Sequence, residues 1–267
     1  MSENEKKTVE NTSQLMRFNL VTRMGSDMLV NGGEIFRTET AMRYAAEALK
    51  LESFNAYVIA NGIFASAVAD EKIHTCRICY LPLEPIKLCR VEALNNLSRR
   101  VAAGNCSLTE MERELVQIEK LEASGNLMKI IASGCGSGSF CYLLQGSVSD
   151  CLCAFAAGVL LYIFLLYCVP LISIPKIMSN IMASALSALI CCALYSLGAG
   201  SQLDRMIIGA IFPLVPGIAL TNAIRNFLEN DYLSGLIRLA DALITAGGIA
   251  IGVGTAMRLW SMTGGIL

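Results

Sequence analysis

From residue 126 onward the chain is close to continuous apolar sequence, divided into segments of about 20 residues, the length that crosses roughly 30 Å of hydrocarbon. Few folds satisfy that constraint, because lipid offers backbone polar groups no partners and only helices or closed barrels span it. One segment carries its own interruption. Residues 207–224 read IIGAIFPLVPGIALTNAI, with Pro213, Pro216 and Gly217 at mid-depth. Proline removes a backbone donor and its ring clashes with the preceding turn, so two prolines and a glycine kink or open the helix. Freed backbone groups are tolerated at membrane depth only where protein buries them or a water-filled cavity receives them, and broken helices accordingly recur at transport sites. The segment points to a pathway and not only to an anchor.

Composition agrees with this reading. Of 267 residues, 54% are hydrophobic and 16% charged, too apolar for an average soluble domain. Most of the charge lies in residues 1–125, which implies three parts: a polar, disordered tail over 1–14, a cytoplasmic α+β domain over 15–125, and an all-α polytopic membrane domain over 126–267. About five transmembrane helices are expected, at 127–145, 150–169, 177–197, 205–224 and 236–258. The opening MSENEKKTVENTSQ has no apolar core of a cleavable signal, so the first half is expected to stay in the cytosol. Lys120, Lys129, Lys176, Arg225 and Arg238 fall on one side of the spans against Arg205 and Arg258 on the other, which favours a cytoplasmic N-terminus. A formal net charge of −1 without a basic stripe argues against a nucleic-acid partner. The 11 cysteines are odd in number and lie mostly in or beside apolar spans, so they read as packing thiols, not as a disulfide framework.

In the polar half, Leu15, Phe18, Val21 and Leu29 recur at roughly helical spacing and predict a helix that stops near Asn31-Gly32-Gly33. A second helix is expected from about Glu34 to Leu49. FNAYVIA, Asn61-Gly62 and IFASAVA then predict two strands joined by a tight turn, for which Asn-Gly supplies positive φ angles, and IHTCRICYL adds a third strand. Pro82 and Pro85 close the sheet, and Leu88, Val91, Leu94, Leu97 and Val101 form one face of a helix ended by Gly104. Ser107 and Glu110 have the spacing of a capping box, opening a helix whose buried stripe runs through Met111, Leu115, Ile118 and Leu121.

Several polar groups are weighed for chemistry. Glu34, Arg37 and Glu39 concentrate at a helix start in NGGEIFRTE, where the plainest account is an acidic N-terminus paired with Arg37 on a solvated face. His74, Cys76 and Cys79 lack the fourth partner that a tetrahedral metal site needs, so no metal is expected. Gly134, Gly136 and Gly138, like Gly248 and Gly252, suit close helix packing. Within the spans, Asp204, Asp241 and Asn222 are costly to place; Asp241 lies within reach of Arg238 or Arg225, as an ion pair or as part of a relay, and Thr221 and Asn222 follow the proline break by a turn. No HExxH, GxSxG or Walker lysine is present, and a single histidine leaves little for acid-base work, so neither an enzyme nor a cofactor is expected. A membrane-anchored ligand sensor or enzyme is the alternative, with the spans serving only as the anchor.

Taken together, NGGEIFRTE, the hairpin with its paired helices, and PLVPGIALTNAIRNFLENDYLSGLIRLADALI resemble the threonine/serine exporter family from about residue 15 onward. In one class of that family a single long chain holds everything; in another, a longer subunit with a cytoplasmic domain and about five spans works with a short membrane subunit. This chain is similar to the longer subunit, which accounts for an odd number of spans and the absence of an internal repeat. The resemblance implies a bacterial plasma-membrane exporter of a small polar carboxylate, either threonine and serine or a dicarboxylate such as succinate, and it admits a higher oligomer. It carries over Gly33, Glu34, Arg37 and Glu39 from the first motif, and Pro213, Pro216, Gly217, Thr221, Asn222 and Arg225 from the second.

Overall fold

The computed structural model describes residues 3–69, 73–82, 86–121, 125–172 and 174–263. Pro85 and the side chains of residues 3–13, His74 and Cys76 lie outside that description. The chain divides into two compact units, Met1–Ala123 with Asp231–Ile237, and Ser124–Asn230 with Arg238–Leu267.

The first unit opens with α1 (Glu3–Val30), which starts upstream of residue 15, where the apolar spacing begins, and within the stretch read as a tail. It ends where the spacing predicts. Gly32 adopts φ 95° and the Gly33 N–H donates to the Met28 carbonyl at 2.7 Å, so the chain turns sharply into α2 (Ile35–Ala48). A Cβ on Gly33 would stand 2.7 Å from that same carbonyl, so the position requires glycine. Next come β1 (Glu52–Ile59), β2 (Gly62–Ala69) and β3 (Ile73–Tyr80), an antiparallel sheet in the order β1-β2-β3. α3 (Leu88–Ala102) ends before Gly104 at φ 73°, and α4 (Leu108–Glu119) begins with the expected capping box of Ser107 and Glu110. Met24, Met28 and Met42 from the first two helices meet Leu94, Leu97, Met111 and Leu115 from the second two, with Ile63, Ala65 and Ala67 of β2 in the same core. Leu121 is exposed and lies past the end of α4, so the predicted stripe stops at Ile118.

The hairpin forms, but not by the backbone route expected of Asn-Gly. Ile59 pairs with Gly62, leaving Ala60 and Asn61 as the turn, and neither Asn61 nor Gly62 takes a positive φ. Gly62 serves another purpose: a Cβ there would come to 3.1 Å from the Cys79 carbonyl on β3, a tight approach that glycine relieves. The Ala60 N–H instead donates to Ser234 Oγ at 3.0 Å, a bond spanning 174 residues.

In the second unit, α5 (Asn126–Leu143) leads to α6 (Val148–Ile163), which continues through a widened π turn at Phe164–Cys168 into α7 (Val169–Ile172). α8 (Lys176–Ser196), α9 (Leu203–Ile211), a 3-10 turn at Phe212–Leu214 and α10 (Gly217–Leu228) follow. α11 (Tyr232–Met262) gives its residues up to Ile237 to the first unit and the rest to the second. Among the described residues, Val148–Ile172, Lys176–Ser196 and Tyr232–Met262 are long and apolar enough to cross a membrane, and the bent pair Leu203–Leu214 and Gly217–Leu228 makes a fourth if it is one span. α5 does not reach that standard, because its SGCGSGS centre exchanges apolar bulk for small residues. Those residues pack: Cβ atoms on Gly134 and Gly138 would strike Val159 and the Cys151 carbonyl of α6, at 2.6 and 3.1 Å. Cys141, Cys153, Cys191 and Cys192 are buried free thiols within these helices.

Candidate functional site

The break in the fourth apolar segment follows from its prolines. Pro213 has no N–H for the Gly209 carbonyl, which accepts from Phe212 instead, and the helix tightens into the 3-10 turn. Val215 is extended, at φ −61° and ψ 125°, and its N–H donates to the Phe212 carbonyl at 3.1 Å. Pro216 then stands at the N-cap of α10 without a side-chain cap, and the two helices meet at 61°. Gly217 donates to the Val215 carbonyl at 2.8 Å and is exposed, with no atom within 4 Å of where a Cβ would lie. The outcome is a helix N-terminus that opens inside an apolar segment with its first amides uncapped by any side chain.

Other elements hold the break in place. Ser137 of α5, fully buried, donates a long hydrogen bond of 3.4 Å to the Ala210 carbonyl, one turn before the prolines. Phe140 of α5 stacks on Phe212 with ring centroids 4.3 Å apart. The π turn of the second apolar helix also contributes. Pro170 cannot donate to the Leu166 carbonyl, and the preceding turn widens so that the Val169 N–H reaches Phe164. Phe164 and Leu165 of this turn pack in one apolar cluster with Ile211 and Leu214 of the break. Two helix irregularities thus meet at one place, a combination that π bulges and broken helices favour at functional sites.

The residues singled out from sequence are placed as follows. Pro213 and Pro216 are half-buried at the break, and Gly217 opens α10. Thr221 is exposed, and its hydroxyl donates back to its own helix, 2.9 Å from the Gly217 carbonyl and 3.1 Å from that of Ile218. Asn222 is half-buried and Arg225 is exposed in the last turn. Asp241 accepts from Lys176 Nζ at 3.0 and 3.1 Å, a cation 65 residues away that sequence distance did not offer. In the first unit Gly33 is buried, Glu34 pairs with Arg37 at 3.0 Å on an exposed face, and Glu39 is half-buried. Thr38, between them, is fully buried and bonds the Glu34 carbonyl.

Asp150 and Asn226 are among the buried polar groups that the sequence did not single out. Asp150 is fully buried and accepts from the Ser147 N–H and hydroxyl and from the Ser201 and Gln202 N–H groups, tying the start of α6 to the start of α9. Its signal was the Ser147-x-x-Asp150 capping spacing. Asn226 of α10 is 6% exposed, and its Nδ2 has no partner among the described residues. Only its place four residues after Asn222, on the same helix face, hinted at it. Among the described residues no group of three or more His, Cys, Asp or Glu could hold a metal ion.

The sequence model of the ThrE family of threonine/serine exporters matches residues 19–260, most of the chain and both units. The chain belongs to the threonine/serine exporter family. Neither the curated proteins nor the solved structures contain a match to it. Membership in the threonine/serine exporter family makes this a multi-pass membrane transporter of threonine- or serine-like substrates. The broken segment and the π turn are places where the described apolar helices give up regular structure.

Proposed function

We propose that this exporter-family chain moves a small polar carboxylate out of a bacterial cell across the plasma membrane, with its N-terminus and α+β domain in the cytoplasm. In this reading α5 completes five spans, and a short membrane subunit of the same family supplies the rest of the pathway. Threonine and serine are the first substrates to test, with a dicarboxylate such as succinate next. One observation carries the mechanism: the uncapped N-terminus of α10 at the 61° break. The first amides of a helix and its dipole favour an anion, and a carboxylate can approach them closely at Gly217, where no side chain intervenes. Thr221, whose hydroxyl proton is already committed to its own helix, presents lone pairs to a substrate ammonium or hydroxyl; Asn222 supplies both a donor and an acceptor. Arg225 lies about one turn beyond Asn222 on α10 and draws carboxylates toward the cytoplasmic mouth.

The test is efflux from vesicles reconstituted with this chain and its short partner, with and without a pH gradient. Asn222→Leu should abolish efflux while membrane insertion is retained. Unchanged efflux would remove Asn222 and the α10 N-terminus from the pathway.

A further inference from the structure

A second polar site lies within the first unit, where the export reading gives it no part. Asp27, Asn31, Lys87, Arg90 and Glu119 line a cavity of about 250 Å³ at the end of α1. It is small beside the roughly 300–1,000 Å³ of pockets that hold drug-sized ligands. The lining is mixed in sign, with two carboxylates and two cations. Arg23 steadies the acidic side, 3.8 Å from Asp27 and 3.1 Å from Glu119, and Arg90 is steadied by its Nε bond to the Leu121 carbonyl at 2.8 Å. Backbone geometry builds the site: the Lys87 N–H donates to the Asn31 carbonyl at 3.0 Å, which fastens the start of α3 to the end of α1. Asn31 is 7% exposed, its Nδ2 donates to the Asp27 carbonyl at 2.7 Å, and its Oδ1 has no partner among the described residues. A buried acceptor left without a donor is costly, and Asn31 is a lining residue of the polar cavity, so a ligand donor is the group that would satisfy it.

Charge and size together select the ligand class. Asp27 and Glu119 repel polyphosphates and dicarboxylates, Lys87 and Arg90 repel simple amines, and the volume excludes nucleotides. A compact zwitterion meets both halves. We propose that this cavity binds a free α-amino acid, its ammonium on Asp27, Glu119 and the Asn31 amide oxygen and its carboxylate on Lys87 and Arg90. Such a site in the cytoplasmic domain of an exporter reports the internal amino-acid level to the transporter; that regulatory role, unlike the binding itself, rests on the export reading.

Titration calorimetry and hydrogen exchange on the full chain in detergent test the binding. L-Threonine and L-serine should bind and should slow exchange at residues 27–31 and 87–90. Arg90→Gln and Asn31→Ala should each weaken that binding about tenfold or more, the loss expected for a charge-assisted hydrogen bond or a buried amide contact. Asn222→Leu, in the other unit, should leave the protection in place. Ethanolamine and succinate, each lacking one half of the zwitterion, should produce no protection there. The proposal is overturned if neither amino acid protects these residues, if both cavity variants bind as the natural chain does, or if succinate protects them equally. Protection without vesicle efflux would sink the export reading alone, and efflux without protection would sink the cavity alone.

Discussion

At the scale of single residues, burial decides which charges carry consequences. Asp27 has its carboxyl pushed up from 3.8 to about 6, first by burial, with Glu119 adding to the effect and Arg23 and Arg90 opposing it. A carboxyl raised in the fold favours the folded state while protonated, so its contribution is fully present below pH 3.8 and lost as pH rises through about 6. Asp27→Asn, neutral throughout, should match the natural chain in acid and exceed its stability at pH 8 by about 1 kcal/mol, a value discounted because solvent reaches part of the side chain. Thermal unfolding at pH 4, 6 and 8 checks the sign: a stabilisation largest in acid would refute it. Glu34 and Arg37 illustrate the opposite case. Their spacing was legible in NGGEIFRTE, and the pair sits in solvent, where such a bridge contributes about 0.2–1 kcal/mol. Asp241 shows the limit of sequence distance, since its partner Lys176 lies 65 residues away.

At the scale of elements, small residues in helices separate by what they touch. Gly209 of α9 faces α5 so closely that a Cβ would stand 2.7 Å from Cys141 Cβ and 3.0 Å from the Ser137 carbonyl. Alanine would gain about 1 kcal/mol of helix propensity there but lose about 1–3 kcal/mol to overpacking, so Gly209→Ala should lower stability. Gly254 of α11 has no atom within 4 Å of its Cβ position, so Gly254→Ala should raise it by up to about 1 kcal/mol. Thermal unfolding of both variants in one detergent tests the contrast, and equal shifts would refute close α5–α9 packing. The glycine pattern was visible in SGCGSGS; which neighbours it admits was not, because sequence spacing identifies a helix face but not the helix that covers it. Pro213 and Pro216 announced their break outright, since a missing N–H is a local fact. Pro170 carried the same chemistry, yet its π turn became evident only with Phe164 and Leu165 packed beside Ile211 and Leu214.

At the scale of the whole molecule, chain order and compact units diverge. A reading by composition draws one boundary at residue 125, whereas the first unit takes back Asp231–Ile237 from the start of α11. Ser234 is fully buried and accepts the Ala60 N–H, and Ile237 packs on the core around Met24 and Leu97. Ser234→Ala should leave that buried amide without a partner, destabilising the hairpin by about 1–3 kcal/mol. Faster hydrogen exchange across residues 58–63 would register the loss, and unchanged exchange would count against the bond. Local chemistry alone determined the apolar helices, the break, the capping box at Ser107 and the three strands, since propensity, missing donors and alternation act over a few residues. Tertiary structure alone decided that Gly62 serves strand approach instead of a left-handed turn, that Lys176 answers Asp241, and that Asp27, Asn31, Lys87, Arg90 and Glu119 line one cavity. Those outcomes depend on which distant surfaces meet, and the energy of a contact does not exist until both of its partners are in place.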